Sequence, residues 1–497
     1  KSLAKTKKLE EYAKKFTVRT GLTNFGPTFV KPRSRDWFDP KYCARHANAI
    51  SKIIWEQLER GTYAPIPARR FSIVKKGGGT REITEFSIPD TAVSKLIYRG
   101  VVRRNLKKFS SSSFAYLPDR NVFDALLSLD DFDRRSKIFA TQIDFEKFFD
   151  QIPHQYLQQL LDSDYLHTTT LEKRVLEAFM GHASFKLDGG AKVSLPDRSI
   201  GTTQGSSVSL VLANLANHEL DRKLSLLSGK FVRYADDVVA LTTSYEQALA
   251  IEHSFFWHCE QNGLKVNKEK SPGISAFSDR TQEIRTTEFV DFLGYRLSFD
   301  GKGISPAVEQ RFRIKVSKLI NIYLIKYQKI AFKHTRARRS PIPYDWDLLG
   351  LISELRKSIY GGLREMEIRD ALRKGTKLRS MKGIMSHYSL LDSAEALKRL
   401  DGWMLNAVRR AMVHRRTILL GHAGDCPTPS NKELLSGVWL DMAAWDQKEG
   451  EELPEVEFPS FVKAWKASHR QIIHHGYGAK TNDLNNSHED LVDLFDY

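Results

Sequence analysis

Cysteine is scarce in this chain. Its 497 residues include only three cysteines, Cys43, Cys259 and Cys426, which lie far apart in the sequence. No CxxC pair and no Cys/His cluster is present, so the sequence predicts neither a structural zinc site nor a disulfide framework. Isolated cysteines are typical of a reducing compartment, and we expect a cytoplasmic protein.

Long apolar runs are also missing. No stretch of the sequence approaches the roughly 20 apolar residues that a membrane-spanning helix needs. Residues 1–15 are basic but lack the apolar core of a signal peptide. No internal repeat is visible. The sequence therefore predicts no membrane partner.

Acidic residues are outnumbered by basic ones. The chain has 77 Lys and Arg against 60 Asp and Glu, which gives a net charge of +17 and a pI near 9.5. This excess favours a polyanionic partner, nucleic acid before membrane, although a generic basic protein is the alternative. The length and the hydrophobic fraction of 41% are enough for two to four domains with real cores.

Two adjacent carboxylates, Asp236 and Asp237, lie between two β-prone runs in residues 231–241 (FVRYADDVVAL). The runs predict the arms of a hairpin, with residues 235–237 at its tip. Neighbouring strand residues point to opposite faces, whereas at a tight turn both carboxylates can reach one side. Two such anions repel each other, and a divalent cation, Mg²⁺ or alternatively Mn²⁺, relieves the repulsion. A solvated Asp-Asp turn is the alternative for the pair by itself.

A third carboxylate ends another β-prone run. Residues 137–144 finish at Asp144, and an aromatic segment with helical character follows. A carboxylate at the carboxyl end of a strand is a common metal ligand on α/β scaffolds. We expect Asp144 to complete the site that Asp236 and Asp237 begin.

Two further segments are rich in cations. Residues 70–83 predict a strand, a glycine turn and a strand, and Lys75 and Arg81 there can pair with the oxygens of a triphosphate. Residues 333–339 are the densest basic run and predict contact with an RNA or DNA backbone. The arginines of this run are Arg336, Arg338 and Arg339. A solvated surface is the alternative for both segments.

Small polar residues fill residues 201–209, which predict a turn before a helix over residues 210–220. Small side chains let a base pair approach closely, and Gln204 can hydrogen-bond near it. Residues 263–270 predict the end of one helix and the beginning of a strand.

In this order, these segments resemble the motifs of reverse transcriptases, most closely the bacterial group II intron-like branch. The resemblance runs from Phe71 to about Ser298. Its blocks are residues 75–81 (the finger hairpin), 113–125, 142–149 (motif A), 204–221 (motif B), 234–237 (motif C), 263–270 (motif D) and 292–295 (motif E). One departure is Leu210, which stands where motif B of this branch usually has proline.

The resemblance implies an α+β right-hand polymerase with fingers, a ferredoxin-like palm and a helical thumb. We expect an N-terminal helical extension over residues 1–68, fingers and palm over 69–306, the thumb over 307–416 and a mainly helical C-terminal extension over 417–497. Lys382 begins a segment that resembles the thumb of intron-type enzymes, and we expect it to bind nucleic acid.

The resemblance also implies an RNA-directed DNA polymerase that makes cDNA from dNTPs on an RNA template. Asp144 and Asp236 would hold two Mg²⁺, with the Phe145 carbonyl as a further ligand, and Asp237 would support the site. Phe149 stands at the family's steric gate, which selects dNTPs over rNTPs; a core aromatic is the alternative.

The chain's extensions resemble those of defence-associated and abortive-infection reverse transcriptases, which work with a companion non-coding RNA and restrict phage. Some members prime on protein hydroxyls, so Tyr477 and Tyr497 are candidates, with plain tail tyrosines as the alternative. An RNA-dependent RNA polymerase and a non-catalytic RNA-binding scaffold with a relic palm are the rival functions. The identity of the template and the formation of a homo-oligomer stay open.

Overall fold

The structure is a computed structural model. It describes residues 36–74, 80–130, 137–163, 165–196, 198–227, 229–278, 284–326, 345–379, 383–419, 428–441 and 454–476. These residues form a mixed α and β fold. Their contacts divide it into two compact units, which within the described part comprise residues 36–288 and residues 289–476. The predicted division into four domains stays a prediction.

The first unit contains ten α-helices within the described part, besides a 3₁₀ turn over Leu106–Lys108. The helices are α1 (Pro40–Arg45), α2 (Ala47–Glu59), α3 (Ile88–Asn105), α4 (Val122–Asp130), α5 (Phe148–Gln151), α6 (His154–Asp162), α7 (Thr170–Met180), α8 (Val208–Ala216), α9 (His218–Leu226) and α10 (Tyr245–Gln261). Side-chain caps set several of their starts. Thr169 and Glu172 form a capping box at α7, and the Ser87 hydroxyl accepts from the Asp90 amide at α3.

The strands of the first unit form two sheets. They are β1 (Ala68–Val74), β2 (Thr80–Glu85), β3 (Ile138–Asp144), β4 (Ser184–Asp188), β5 (Ala191–Leu195), β6 (Lys230–Tyr234), β7 (Asp237–Thr242), β8 (Gly273–Phe277) and β9 (Thr286–Thr287). One sheet has the order β2-β1-β4-β5, and the other has the order β6-β7-β3-β8-β9. The predicted hairpins over residues 70–83 and 231–241 are confirmed as the antiparallel pairs β1–β2 and β6–β7.

Strand β3 lies at the centre of the five-stranded sheet, between β7 and β8. Six of its seven residues are buried, as expected for an apolar strand covered on both faces. Helix α10 packs on β3, β7 and β8, and its Phe255 ring lies 4.5 Å from the Phe145 ring. The carboxyl end of β3 is therefore held in a well-packed core.

Two local predictions were wrong. The helix predicted over residues 210–220 is two helices, α8 and α9, separated at Asn217 (φ −98°, ψ 1°), a residue type with weak helix preference. The strand predicted from residues 263–270 does not continue there. Instead, the Lys270 and Ser271 amides both donate to the Asn267 carbonyl at 3.2 and 3.0 Å, which forms a turn before β8.

The second unit joins a small sheet to a helical bundle. Its elements are β10 (Phe289–Phe292), β11 (Tyr295–Ser298), β12 (Gly301–Ile304), α11 (Pro306–Ile320), a π-helical turn (Asn321–Lys326), α12 (Trp346–Tyr360), α13 (Glu365–Lys374), α14 (Ile384–His387), α15 (Glu395–Leu419), α16 (Asn431–Ser436) and α17 (Phe461–His475). Asp401 on α15 accepts from the Ser460 hydroxyl at 2.6 Å and the Phe461 amide at 2.7 Å, which fixes the start of α17. No helix in the described part is long and apolar enough to cross a membrane.

Candidate active site

The β6–β7 hairpin turns through two residues. Tyr234 pairs with Asp237, and Ala235 and Asp236 form the turn between them. Ala235 adopts a left-handed conformation (φ 61°) and Asp236 does not, a pattern that matches a type II′ rather than a type I′ hairpin turn. Asp237 was predicted to lie at the tip, but it is the first residue of β7.

The last residue of β3 brings the third carboxylate to this turn. Asp144 pairs directly with Asp237 across the β3–β7 ladder. Directly opposed residues in a sheet project to the same face, so these two side chains share one side. Asp236 is the next residue along the turn. The structure therefore places the three carboxylates that the sequence singled out at one edge of the sheet, Asp144 opposite Asp237 and Asp236 in the adjoining turn.

The surroundings of Asp237 favour its neutral form. Asp144 is buried, whereas Asp236 and Asp237 are half-buried. Burial, followed by the charges of Asp144 and Asp236, raises the pKa of the Asp237 carboxyl to about 7, and Lys270 opposes the rise. Negative charge is thus concentrated at this edge of the sheet.

The segment after residue 263 supplies partners for Asp144. The Lys270 ammonium lies 3.2 Å from Asp144 Oδ2, and the Asn267 amide nitrogen donates to the same oxygen at 3.3 Å. The Ser271 hydroxyl accepts from the Asp144 backbone N–H at 3.0 Å. The sequence placed Lys270 in a family motif but gave no sign that these residues contact Asp144, because the contacts depend on the turn at Asn267.

The backbone at Phe145 suits a ligand role. Phe145 and Val266 form an isolated antiparallel bridge, and its hydrogen bonds come from flanking residues: Glu146 N donates to Lys265 O, and Asn267 N to Asp144 O, both at 2.8 Å. In such a pair the bridged residue's own C=O points away from its partner. The Phe145 carbonyl is therefore directed away from Val266.

The donor chemistry of the three carboxylates fits Mg²⁺ or Mn²⁺, which prefer oxygen ligands. Burial first, and then the charges of Asp144 and Asp236, raise the pKa of Asp237, and a bound divalent cation would favour its ionised form. Across the described residues, no three His, Cys, Asp or Glu side chains are gathered closely enough to hold a metal ion. Asp144, Asp236 and Asp237 would therefore need to draw together around the ion.

Aromatic rings follow the carboxyl end of β3. Phe149, on the one-turn helix α5, is half-buried, and its ring centroid lies 6.1 Å from that of Tyr116 in a T-shaped contact. The Phe149 carbonyl accepts from the Thr202 amide at 2.6 Å. Tyr116 has a left-handed backbone (φ 62°), and its carbonyl accepts from the Tyr98 hydroxyl at 2.5 Å. No pattern in the sequence predicted the contact between Tyr116 and Phe149.

The predicted polar turn packs against strand β2. The Thr84 amide donates to the Gln204 carbonyl at 3.1 Å, and Gln204 is partly exposed. At Gly205 (φ 143°) a Cβ would lie 1.9 Å from the Thr84 carbonyl oxygen, so only glycine fits there. The backbone of this turn is therefore fixed to the four-stranded sheet.

Other residues predicted to bind ligands lie outside the described part. The structure describes the backbone of Arg81 in β2 but not its side chain. The remaining residues are Lys75, Arg336, Arg338, Arg339, Lys382, Tyr477 and Tyr497. Their roles stay predictions.

One residue of the hairpin has a role that the sequence did not reveal. Arg233 on β6 is buried, and its guanidinium makes a bidentate pair with Asp221 at 2.7 and 2.6 Å. It also donates to the Ala235 carbonyl in the turn at 2.9 Å. The position of Arg233 within an apolar β-prone segment was a signal that its side chain is buried. A buried arginine in turn requires a buried partner.

Residues 73–297 match the family model described as "Reverse transcriptase (RNA-dependent DNA polymerase)". The matched segment contains all three carboxylates and the β6–β7 hairpin. The chain therefore contains a reverse transcriptase domain, and the enzyme class that this domain defines is a nucleotidyltransferase.

Two curated proteins are similar to part of this chain. An "Uncharacterized 91 kDa protein in cob intron" of Schizosaccharomyces pombe is 28% identical over 295 residues, which cover 47% of this chain and 35% of the relative. The "Group II intron-encoded protein LtrA" of Lactococcus lactis subsp. cremoris is 28% identical over 209 residues, covering 40% of this chain and 31% of that protein. The chain thus spans only about a third of the length of these two relatives.

Solved structures with partial similarity include two telomerases. That of Candida albicans, solved in complex with the TWJ fragment of telomeric RNA, has 13% identity and a TM-score of 0.40, covering 76% of this chain and 66% of that one. The apo enzyme of Candida tropicalis has 12% identity and a TM-score of 0.39, covering 76% and 69%. The assignment of the domain rests on residues 73–297, not on these structures.

Proposed function

We propose that this chain is an RNA-directed DNA polymerase that makes cDNA from dNTPs on an RNA template. One observation carries the proposal: the pairing of Asp144 with Asp237, beside Asp236 in the turn, inside a segment that matches the reverse transcriptase family. A solvated Asp-Asp turn would have no third carboxylate opposite it on a neighbouring strand.

The carboxylates define the roles in the reaction. Asp144 and Asp236 would hold two Mg²⁺, with the Phe145 carbonyl as a further ligand. When bound, the ions would activate the primer 3′-hydroxyl and neutralise charge on the triphosphate and the leaving pyrophosphate. The 3′-oxygen then bonds to the α-phosphorus as the bond to pyrophosphate breaks. Asp237 keeps negative charge beside the ligands and supports the site.

Selection of the sugar is assigned to Phe149. Its half-buried ring, held by its backbone bond to Thr202 and by contact with Tyr116, would stack beneath the sugar and collide with a 2′-hydroxyl. Lys75 and Arg81 would pair with the triphosphate, and Gln204 would contact the nascent base pair.

The partners are proposed from charge and resemblance. The net charge of +17 favours an extended RNA partner, and Arg336, Arg338, Arg339 and Lys382 would contact its backbone. The extensions resemble those of defence-associated enzymes, so we propose a companion non-coding RNA as template and restriction of phage as the biological role. Tyr477 and Tyr497 stay the candidates for protein priming.

Primer extension on an RNA template tests the proposal. The wild-type protein should incorporate dNTPs in Mg²⁺ and prefer them to rNTPs. Phe149→Val should keep dNTP incorporation but reduce the preference by about 10²-fold, since a steric clash of a few kcal/mol is removed. Leu187→Val, at an exposed site in β4, is the matched control and should leave the preference unchanged.

Two results would favour the rival functions. A wild-type preference for rNTPs would indicate an RNA-dependent RNA polymerase. A scaffold would be indicated if the Asp236→Asn/Asp237→Asn double variant kept full biological activity and the wild-type protein incorporated no nucleotide.

A further inference from the structure

The Arg233 guanidinium is fully paired inside the first unit. Its side chain is 1% exposed, and so is that of Asp221. An arginine has five N–H groups, and five hydrogen bonds are present here. They run from Nε to Asp221 Oδ1 (2.7 Å), from Nη2 to Asp221 Oδ2 (2.6 Å) and Ser113 Oγ (2.7 Å), and from Nη1 to Asn214 Oδ1 (3.2 Å) and the Ala235 carbonyl (2.9 Å).

One of these bonds reaches the carboxylate-bearing turn. Ala235 precedes Asp236 and has a left-handed backbone (φ 61°), which is unfavourable for a residue with a Cβ. The bond from Arg233 holds the Ala235 carbonyl and opposes relaxation of this conformation. The guanidinium therefore contacts the backbone directly before Asp236.

A second bond reaches the loop that carries Tyr116. Ser113 accepts from Arg233 Nη2, and the backbone of this loop pairs with β6: Arg233 N donates to Ser112 O at 2.8 Å, and Phe114 N donates to Arg233 O at 3.0 Å. Three residues beyond Ser113, Tyr116 contacts the Phe149 ring. The same guanidinium thus supports both the carboxylate side and the aromatic side of the site.

We propose that Arg233 is a positioning residue that sets the geometry of both sides at once, the metal ligands through Ala235 and the Phe149 gate through Ser113. The proposal deepens the proposed function and rests on it for the gate. A buried ion pair with a purely structural role can often be replaced by apolar side chains without loss of stability. A positioning role for Arg233 predicts that the same replacement disturbs the site.

The key variant removes the charges but keeps the interior filled. Arg233→Met/Asp221→Leu deletes the pair without leaving a buried charge, and with it the bonds to Ala235 and Ser113. The matched control is Arg415→Met/Asp345→Asn, which deletes another buried bidentate pair, with bonds of 2.8 and 2.6 Å, in the second unit. Asparagine keeps the helix cap that Asp345 provides to Leu348 at the start of α12.

Mn²⁺ binding, measured by electron paramagnetic resonance, gives a readout independent of activity. For Arg233→Met/Asp221→Leu we expect Mn²⁺ affinity to fall about 10-fold, kcat for dNTP incorporation to fall about 10²-fold and the dNTP preference to decrease, since small displacements of catalytic groups have effects of this size. The control should stay within about twofold of wild type in all three measurements.

Ser113→Ala separates the two sides. It removes the bond to the Tyr116 loop but keeps the bond to Ala235. We expect a reduced dNTP preference with unchanged Mn²⁺ affinity. Equal losses of affinity and preference in this variant would contradict the assignment of separate routes.

If the double variant does not fold, Arg233→Lys decides the question, because lysine keeps the charge opposite Asp221 but has three donors without the planar fork. We expect a folded protein with weakened Mn²⁺ binding. Wild-type Mn²⁺ affinity in either folded variant would overturn the proposal. If the wild-type chain incorporates no nucleotide, the proposed function fails, while the Mn²⁺ measurements still test the positioning of the carboxylates.

Discussion

Two neighbouring parts of the β6–β7 hairpin, the buried side chain of Arg233 and the carboxylates at the turn, differ in how their charges are paired. Within β6, the buried Arg233 has every guanidinium N–H paired and forms its ion pair with the carboxylate of Asp221. The turn and the end of β3 carry three carboxylates. The Lys270 ammonium lies 3.2 Å from the Asp144 carboxylate, and the Lys270 side chain is largely exposed.

The two parts have different roles: the Arg233 network supports the fold, and the carboxylates form the candidate reactive site. A fully paired buried network has one geometry and resists change. Clustered carboxylates with little compensation have a raised affinity for cations, and burial together with the charges of Asp144 and Asp236 raises the pKa of Asp237 to about 7. The Arg233 network holds the backbone in place, while the carboxylates at the turn keep negative charge that is not neutralised. A metal-dependent site needs this combination.

The largest effect is expected at the tip. Asp236→Asn should lower nucleotide incorporation by about 10³-fold or more, because it removes a metal ligand, while the fold is kept. Asp162→Asn, which removes an exposed carboxylate paired with Lys173, should leave incorporation unchanged. Primer extension and circular dichroism check both variants. Retention of activity in Asp236→Asn would exclude the proposed ligand set.

The sequence predicted the three carboxylates much better than the residues that contact the site. Asp144, Asp236 and Asp237 lie at the ends of β-prone runs, and strand pairing alone brings such ends together. The contacts of Lys270 with Asp144 and of Tyr116 with Phe149 were not predictable. They depend on irregular backbone, the turn at Asn267 and the left-handed conformation of Tyr116, for which the sequence has no periodic signal.

Apart from α6, α7, β4 and β5, most elements of the first unit were predicted from the hydrophobic pattern. The break at Asn217 was not, because the apolar pattern continues from α8 into α9 and only the weak helix preference of asparagine marks the interruption. The partners of Arg233 come from four separate segments, and their convergence depends on tertiary packing.

The next largest effect is expected at Arg233. Arg233→Ala should lower the free energy of unfolding by about 3–5 kcal/mol, because Asp221 is left buried without its counter-charge. Arg296→Ala removes a partly exposed pair with Asp291, at 2.8 Å, and should cost less than about 1 kcal/mol. Urea unfolding measures both. Similar values for the two variants would contradict the contrast between a buried support and a surface pair.

A smaller effect is expected where the Gln204 turn meets β2. Gly205→Ala should destabilise the protein by about 1–3 kcal/mol, because its Cβ would collide with the Thr84 carbonyl at a positive φ. Gly189→Ala, at φ 56° in the β4–β5 turn with no atom within 4 Å of the new Cβ, should cost about 1 kcal/mol or less. Thermal unfolding compares the two, and equal costs would show that the turn can move away from β2.

The smallest effect is the pH dependence of Asp237. Its pKa is raised to about 7 in the folded state, above the ordinary value of about 3.9. The metal-free folded state therefore takes up a proton that the unfolded state does not, and stability should rise as the pH falls from about 7 towards 4. Asp237→Asn should be more stable than wild type above about pH 7, by about 1–2 kcal/mol after allowance for solvent screening.

Thermal unfolding in EDTA across this pH range measures the dependence. The difference between Asp237→Asn and wild type should disappear near pH 4, where both states of the wild-type carboxyl are protonated. If the wild type were more stable than Asp237→Asn at high pH without metal, the ionised Asp237 carboxylate would not be destabilising, which would contradict this prediction.

The most direct test of the central claim is a Mn²⁺ binding titration of the wild-type protein, Asp236→Asn and Asp162→Asn, followed by electron paramagnetic resonance in the presence of a dNTP. The account predicts about two bound Mn²⁺ for the wild type and for Asp162→Asn, and loss of at least one of them in Asp236→Asn. Equal binding by all three proteins would contradict the claim that the carboxylate tip is a divalent-metal site.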